Sequence, residues 1–220
     1  MSARFDLIIF DYDGVIADSE LLNNVVLSEL LTETGLPTTV DQALAGYMGR
    51  SWRDIEPELS QRLGRSCAEL PGEWQRRCQE RAVGELEAVA GLYDFIGRRR
   101  GKRCIASSSP PSWIEMGLKR LGFEPEGLGP IFSGAVHVAR GKPHPDLFLY
   151  ASNAMAVAPQ RCLVIEDSPA GVRGGAAAGM TVVGLCAAGH IRDGHAETLR
   201  QAGAHYVADD YGGIDQLLDG

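Results

Sequence analysis

Residues 7–20 read LIIFDYDGVIADSE, and this stretch decides the fold. Four apolar residues run directly into Asp11 and Asp13, and Gly14 follows. An apolar run without polar alternation is typical of a parallel strand buried on both faces. Side chains two apart at an extended strand end point the same way, so both carboxylates should face one place. Two carboxylates so close together repel each other. The stretch is therefore either an acidic turn in solvent or a site with a positively charged group beside both aspartates.

Similar apolar runs recur along the chain, and each ends near Asp, Ser or Gly. They are RCIAS (103–107), CLVIED (162–167), TVVGLC (181–186) and HYVADD (205–210). Helical patterns separate several of them, and this alternation predicts an α/β fold with a doubly wound, Rossmann-like parallel sheet. In SPAGVRGGAAAGM, Ser168 is a candidate N-cap and Pro169 suits the first helical position. The small residues of that segment indicate a helix close to the sheet.

One block breaks the alternation. From about residue 18 to 89 the sequence shows only helical patterns, such as SELLNNVVLSELLTETG. We therefore expect a Rossmann-like core of residues 1–17 and 90–220 with an inserted all-helical cap domain of residues 18–89. Ligands of open α/β sheets bind outside the carboxyl ends of the strands, so an insertion after the first strand is well placed to cover a site.

Composition narrows the class of partner. The net charge of −8 argues against nucleic acid and anionic membranes as main partners. The arginine-rich GRRRGKR fits a solvated helix end in such an acidic chain. The apolar runs are too short to span a bilayer, and the five scattered cysteines include no CxxC pair. With no signal peptide at the start, these features predict a cytoplasmic protein.

Polar side chains collect at the carboxyl ends of the predicted strands. Several carboxylates in one place suit Mg²⁺, which prefers oxygen ligands and leaves room for a phosphate oxygen. A lysine and hydroxyls facing those acids suit a phosphoryl group. The residues concerned are Asp11, Asp13, Ser107, Ser108, Ser109, Lys142, Glu166 and Asp167.

Four motifs in this order resemble the haloacid dehalogenase superfamily of hydrolases. They are DYDGVIADSE, Ser107 after an apolar strand, KPHPDLF with Lys142, and IEDSPAGVRGGAAAGM. The resemblance covers nearly the whole chain. It is to members with a helical cap after the first strand, which include phosphoglycolate and 6-phosphogluconate phosphatases and β-phosphoglucomutase.

The resemblance implies a role for each motif residue. Asp11 would be the nucleophile that forms an aspartyl-phosphate, and Asp13 would be the general acid and base. Asp11 should stay ionised while Asp13 holds a proton. The implied metal ligands are Asp11, Asp13 through its backbone carbonyl, Glu166 and Asp167, and the implied phosphate-binding residues are Gly14, Ser107, Ser108 and Lys142.

The expected function is therefore a Mg²⁺-dependent phosphatase acting on a small phosphorylated metabolite. The resemblance favours a sugar or sugar-acid phosphate, such as 6-phosphogluconate, and a protein that works as a monomer. Substrate choice should lie in the cap, where GYMGRSWRDI resembles the family's cap loop. The candidate specificity residues are Asn23, Gly49, Arg50 and Arg53, although a simple helix start at Ser51 explains that loop equally well.

Alternatives remain open at this point. A β-phosphoglucomutase-type mutase is the nearest, but the histidine that such mutases carry on the first cap helix corresponds to Asn23 here. Dehalogenases lack the second aspartate, and a non-enzymatic phospho-receiver lacks both the DxD spacing and the long cap. Two local interpretations are structural: Ser109 as a helix cap, and HIRDGH (190–195) as a solvated loop and not a metal-binding pair.

Overall fold

The chain forms two compact units. The structure, a computed structural model, describes residues 5–47, 52–124 and 127–219. The first unit comprises Met1–Asp18 with Glu87–Gly220 and is called the sheet unit; the second, the helical unit, is Ser19–Leu86. That these units act as separate domains, with boundaries after residues 17 and 89, stays a prediction from the sequence.

The sheet unit is built on six parallel strands in the order β3-β2-β1-β4-β5-β6. β1 is central, and the chain winds outward from it in both directions, which is the doubly wound arrangement. The strands are β1 Leu7–Phe10, β2 Lys102–Ser107, β3 Ile131–Ser133, β4 Cys162–Glu166, β5 Thr181–Leu185 and β6 Tyr206–Ala208. The predicted fold class is confirmed.

Helices connect these strands. Those of the helical unit are α1 Ser19–Glu33, α2 Val40–Tyr47, α3 Trp52–Leu63 and α4 Leu70–Glu85. Those of the sheet unit are α5 Leu92–Arg98, α6 Pro111–Arg120, α7 Asp146–Ala154, α8 Pro169–Ala177, α9 His195–Ala202 and α10 Tyr211–Asp219, with a short 3₁₀ helix at Pro159–Arg161.

Five of the six strands coincide with the apolar runs picked out in the sequence. β3 was missed, because only Ile131 and Phe132 are apolar there, between Pro130 and Ser133. It pairs in parallel with β2, so that Ser133 lies beside Ser107. The short strand therefore brings a second serine to the carboxyl edge of the sheet.

The core of the sheet unit lies between the sheet and the helices packed on it, and α8 approaches especially closely. It includes Leu7 and Val164 from the central strands and Phe148 from α7, each at most 1% exposed. A Cβ on Gly175 of α8 would lie 2.9 Å from Val182 Cγ2. The small residues of this helix therefore allow the close approach that the sequence indicated.

The helical unit has a core of its own. Leu31, Leu59 and Cys67 are completely buried there. The indole rings of Trp52 and Trp74 pack edge to face with centroids 5.7 Å apart. Trp74 Nε1 donates a hydrogen bond to the backbone oxygen of Asn23, 3.0 Å away. Packing within the unit thus accounts for both tryptophans.

Two surface features bear on possible partners. Within residues 5–47, 52–124 and 127–219, no helix is both long and apolar enough to cross a membrane. In the arginine-rich segment, Arg98 and Arg99 pair with Asp215 of α10 at 2.7 and 2.6 Å. These arginines contact carboxylates of their own chain, as a structural interpretation of that segment expects.

Candidate active site

Asp11 follows directly after β1 and is 7% exposed. Its backbone N–H donates to the carbonyl of Ile165 on the adjacent strand β4, 3.0 Å away. Because Phe10 and Ile165 are register partners, the next residues of the two segments, Asp11 and Glu166, lie side by side. Strand pairing therefore joins the first and last motifs of the sequence.

Lys142 bridges these two acids. Its Nζ lies 2.8 Å from Asp11 Oδ1 and 2.5 Å from Glu166 Oε1, and only 5% of its side chain is exposed. Burial alone would lower the pKa of Lys142, but the carboxylates of Asp11 and Glu166 outweigh that effect and raise it. The lysine is held as a buried cation, as the sequence motif around it suggested.

Three carboxylates lie close together beside this lysine. Oxygen atoms of Asp11, Glu166 and Asp167 lie within 4.8 Å of one another. Burial and the charge of Asp11 raise the pKa of Glu166 to about 7, against the opposing effect of Lys142. The same causes raise the pKa of Asp167 well above its usual range. Burial and the neighbouring charge therefore favour the neutral forms of Glu166 and Asp167 even beside Lys142, and the all-oxygen donor set of the cluster fits a Mg²⁺ ion.

Ser168 fixes the orientation of Glu166. Its backbone N–H and hydroxyl both donate to Glu166 Oε2, at 3.1 and 2.9 Å. The same hydroxyl accepts the N–H of Gly171 at 3.0 Å, so Ser168 is also the predicted N-cap of α8. One side chain therefore starts the helix and holds a carboxylate of the cluster.

Two histidines contact Asp167. His190 Nε2 lies 3.1 Å from Asp167 Oδ2, and His195 Nε2 donates to the backbone oxygen of Asp167 at 2.6 Å. His190 is only 3% exposed, so the interpretation of this segment as a solvated loop was wrong for that residue. A Cβ on Gly14 would lie 1.7 Å from the same Oδ2 and 2.9 Å from His190 Cε1, and Gly14 has a φ of 74°. Only glycine fits there.

The carboxylate of Asp13 is engaged by the segment that begins α6. Ser109 Oγ donates to its Oδ2 at 2.5 Å, and Trp113 Nε1 donates to its Oδ1 at 3.1 Å. The prediction that Ser109 caps the helix was wrong, since the N-cap of α6 is Pro110, without a side-chain cap. Sequence reasoning missed Trp113 altogether, because its position resembles any first turn of a helix.

The predicted phosphate-binding serines lie at the carboxyl end of β2, where Ser107 is the last residue of the strand and Ser108 follows it. Ser107 is 1% exposed, and its hydroxyl oxygen accepts the backbone N–H of Ser109 at 3.1 Å. Ser108 is exposed. The structure thus brings Asp11, Lys142, Glu166 and Asp167 into direct contact or close approach. Asp13 follows β1, Ser107 ends β2 and Ser108 follows it.

Of the four predicted specificity residues of the cap, the structure describes the side chain of Asn23 alone. Asn23 lies on α1 in the helical unit. Gly49 and Arg50 fall outside the described residues, and Arg53 belongs to α3 but its side chain is not described. Their role in substrate choice stays a prediction.

Comparison with known proteins gives the family. A family model described as haloacid dehalogenase-like hydrolase matches residues 5–179. The chain belongs to this family. The match includes all four motifs, from Asp11 to the acidic pair Glu166 and Asp167.

Curated relatives of this hydrolase include two phosphatases of Escherichia coli K12. Hexitol phosphatase A is 47% identical over 184 residues, which cover 80% of this chain and 81% of the relative. The 6-phosphogluconate phosphatase is 27% identical over 190 residues, 86% of each protein.

Solved structures share the fold over nearly the whole chain. A haloacid dehalogenase-like protein from Agrobacterium tumefaciens C58 is 33% identical, with a TM-score of 0.87 and 98% of both chains covered. A family hydrolase from Deinococcus radiodurans R1, solved with bound phosphate and sodium, is 29% identical, with a TM-score of 0.85 over 99% of this chain and 96% of that one. The family and the hydrolase class predicted from the sequence are confirmed.

Proposed function

We propose that the protein is a Mg²⁺-dependent phosphatase that hydrolyses a sugar or sugar-acid phosphate through an aspartyl-phosphate. The observation that carries this is the contact of buried Lys142 with Asp11 beside the acids Glu166 and Asp167. A nucleophile, a fixed cation and a metal-binding donor set at one sheet edge are the components that phosphoryl transfer requires.

The metal would be held by the side chains of Asp11, Glu166 and Asp167 and by the backbone carbonyl of Asp13. When bound, Mg²⁺ supplies positive charge that offsets the repulsion between the carboxylates and an anionic phosphate. Lys142 contributes further positive charge at Asp11 itself. The raised pKa values of Glu166 and Asp167, which burial and the charge of Asp11 cause, support a cation at this site, since a cation would favour their ionised forms.

In the first step, a carboxylate oxygen of Asp11 attacks phosphorus, and the bond from phosphorus to the sugar oxygen breaks. The departing oxygen takes a proton from Asp13 and leaves as the sugar hydroxyl. Ser107, Ser108, Lys142 and the backbone at Gly14 would bind the phosphoryl oxygens.

In the second step, Asp13, which is now a carboxylate, takes a proton from water. The water oxygen bonds to phosphorus, the bond from phosphorus to Asp11 breaks, and inorganic phosphate leaves. Asp11 is then a carboxylate again and Asp13 is protonated, so the cycle is complete. This assignment requires Asp13 to exchange a proton twice in each turnover.

The two curated relatives support the substrate class, since their names give hexitol phosphates and 6-phosphogluconate as substrates. We propose sugar-acid and sugar phosphates for this chain, with 6-phosphogluconate first. Selection within that class belongs to Asn23, Gly49, Arg50 and Arg53. A monomeric state and a cytoplasmic location are part of the same proposal.

Phosphate release from a panel of phosphorylated metabolites, with and without Mg²⁺, tests this function. We expect Mg²⁺-dependent turnover, with the highest kcat/KM on 6-phosphogluconate or a hexitol 6-phosphate. Equal values for glycolate, sugar and sugar-acid phosphates would contradict the substrate preference. Isomerised sugar phosphate without free phosphate would instead identify a mutase.

Substitution of the nucleophile tests the mechanism. Asp11→Asn should lower kcat by about 10³-fold or more, because an amide oxygen is a poor nucleophile and the covalent intermediate cannot form. Asp6→Asn is the matched control, since Asp6 is exposed before β1 and pairs with Arg161 at 2.7 Å. Retention of kcat within tenfold in Asp11→Asn would disprove the assignment of Asp11.

A further inference from the structure

We propose that Ser109 and Trp113 are positioning residues that hold the carboxylate of Asp13 toward the leaving oxygen of the substrate. Neither belongs to the motifs that identify the family. The inference rests on the proposed function, in which Asp13 gives its proton to that oxygen. It makes the first turn of α6 part of the acid catalysis.

The two contacts reach different oxygens of one carboxyl group. Ser109 Oγ bonds Oδ2, and Trp113 Nε1 bonds Oδ1. A carboxyl group held at one oxygen can still rotate about its Cβ–Cγ bond, whereas two contacts fix its plane. The indole N–H can only donate, while the serine hydroxyl donates to a carboxylate and can accept from a carboxylic acid. When the proton is on Oδ1, the hydroxyl of Ser109 can still donate to Oδ2, so Ser109 keeps its contact while Asp13 carries the proton for the leaving oxygen.

The segment that supplies these donors is itself anchored to the sheet. The N–H of Ser109 donates to Ser107 Oγ at 3.1 Å, and its carbonyl accepts from Ser133 Oγ at 2.7 Å. Ser107 and Ser133, at the ends of β2 and β3, are at most 1% exposed. Ile114, next to Trp113, is fully buried. Because both donors stand on this fixed support, they can orient Asp13 before substrate arrives.

This arrangement predicts a dependence on the leaving group. A sugar alkoxide leaves only with a proton, and general acid catalysis contributes about 10²–10⁴-fold to such a step. The p-nitrophenolate ion is a stable anion that leaves without one. Loss of the Asp13 orientation should therefore slow the cleavage of an alkyl phosphate far more than that of p-nitrophenyl phosphate.

The experiment compares kcat/KM for glucitol 6-phosphate and p-nitrophenyl phosphate at saturating Mg²⁺. Trp113→Phe keeps an aromatic ring and removes the donor, and Ser109→Ala removes the hydroxyl. We expect each to lose about tenfold or more on glucitol 6-phosphate and less than about threefold on p-nitrophenyl phosphate. Ser109→Thr, which retains a hydroxyl, should restore most of the loss. Ser112→Ala, at an exposed neighbour on α6, should change neither value.

The outcomes separate this inference from the function on which it rests. Equal losses on both substrates, or no loss on glucitol 6-phosphate, would overturn the positioning role while the phosphatase function stands. If circular dichroism shows that Trp113→Phe or Ser109→Ala is unfolded, the kcat/KM values of the other variant test the positioning role. Absence of Mg²⁺-dependent turnover of both substrates by the unaltered protein would overturn the proposed function and this inference together.

Discussion

Asp167 is held from two sides by residues that no motif in the sequence marks. His190 contacts its carboxylate at 3.1 Å and His195 its backbone oxygen at 2.6 Å, while Gly14 leaves space only for that carboxylate. For the proposed metal ligand Asp167, contacts of this kind are expected to tune the affinity for the ion.

Replacement of His190 should weaken Mg²⁺ binding without removing a ligand. For His190→Phe, which keeps a ring but lacks the donor, we expect the Mg²⁺ concentration for half-maximal activity to rise by about 10–100-fold. Calorimetric titration of Mg²⁺ into the protein should show the same loss. Asp193→Asn, at an exposed position of the same loop, serves as the control. An unchanged Mg²⁺ affinity in His190→Phe would show that the histidine only fills space.

The sequence was sufficient to predict those site residues that stand in a recognisable local pattern. Asp11 and Asp13 stand in one short motif after an apolar strand, and Lys142 stands in another. The contacts of Ser109 with Asp13 and of His190 with Asp167 were not predictable, because neither Ser109 nor His190 stands in a sequence pattern that marks such a role. A serine before a helix and a histidine in a loop each have a more common local explanation, and only the fold decides against it.

At the level of elements, α8 joins the sheet to the site. Ser168 caps it and binds Glu166, and Gly171 in its first turn lies against the same carboxylate. A Cβ on Gly171 would lie 1.7 Å from Glu166 Oε1. The helix therefore cannot carry a side chain here without displacing an acid of the cluster, although alanine favours a helix more than glycine does.

Gly171→Ala should accordingly destabilise the protein and reduce its activity. Overpacking of a filled site costs about 1–3 kcal/mol, more than the gain in helix propensity of about 1 kcal/mol. Gly97→Ala is the matched control, since Gly97 lies in α5 with nothing within 4 Å of its added Cβ, and it should keep or raise the stability. Urea unfolding and kcat measure both effects. A Gly171→Ala variant as stable and active as Gly97→Ala would contradict the close packing.

Elements with a clear signal at their ends were predictable. The N-cap Ser168 with Pro169 placed the start of α8, and Gly35 after α1 has the positive φ of 99° expected of a helix stop. β3 was not predictable, since it offers only the two apolar residues Ile131 and Phe132 after Pro130, and its place in the sheet comes from its pairing with β2. Short elements take their structure from neighbours that are distant in sequence.

At the scale of the whole molecule, acidic residues on the surface differ from the buried ones in how many cationic partners they have. On α4, the exposed Arg76 bonds Glu73 and Glu80, and such surface pairs contribute little to stability. The cluster of Asp11, Glu166 and Asp167 is buried and carries three acids against one lysine. The free energy of folding should therefore depend on pH and on cations chiefly through this one cluster.

The thermal stability of the metal-free protein should fall as pH rises from about 5 to 8. The pKa of Glu166 is raised from 4.5 to about 7 by burial and by Asp11, so the folded state binds more protons than the unfolded state in this range. The loss is on the order of 3 kcal/mol by linkage, and saturating Mg²⁺ should reverse it because a cation favours the ionised acids. Glu166→Gln, which cannot titrate, should show a flatter dependence of Tm on pH in the absence of metal. A metal-free Tm that rises from pH 5 to 8 would show that the cluster does not govern the stability, and an equal slope in Glu166→Gln would show that Glu166 does not carry the dependence.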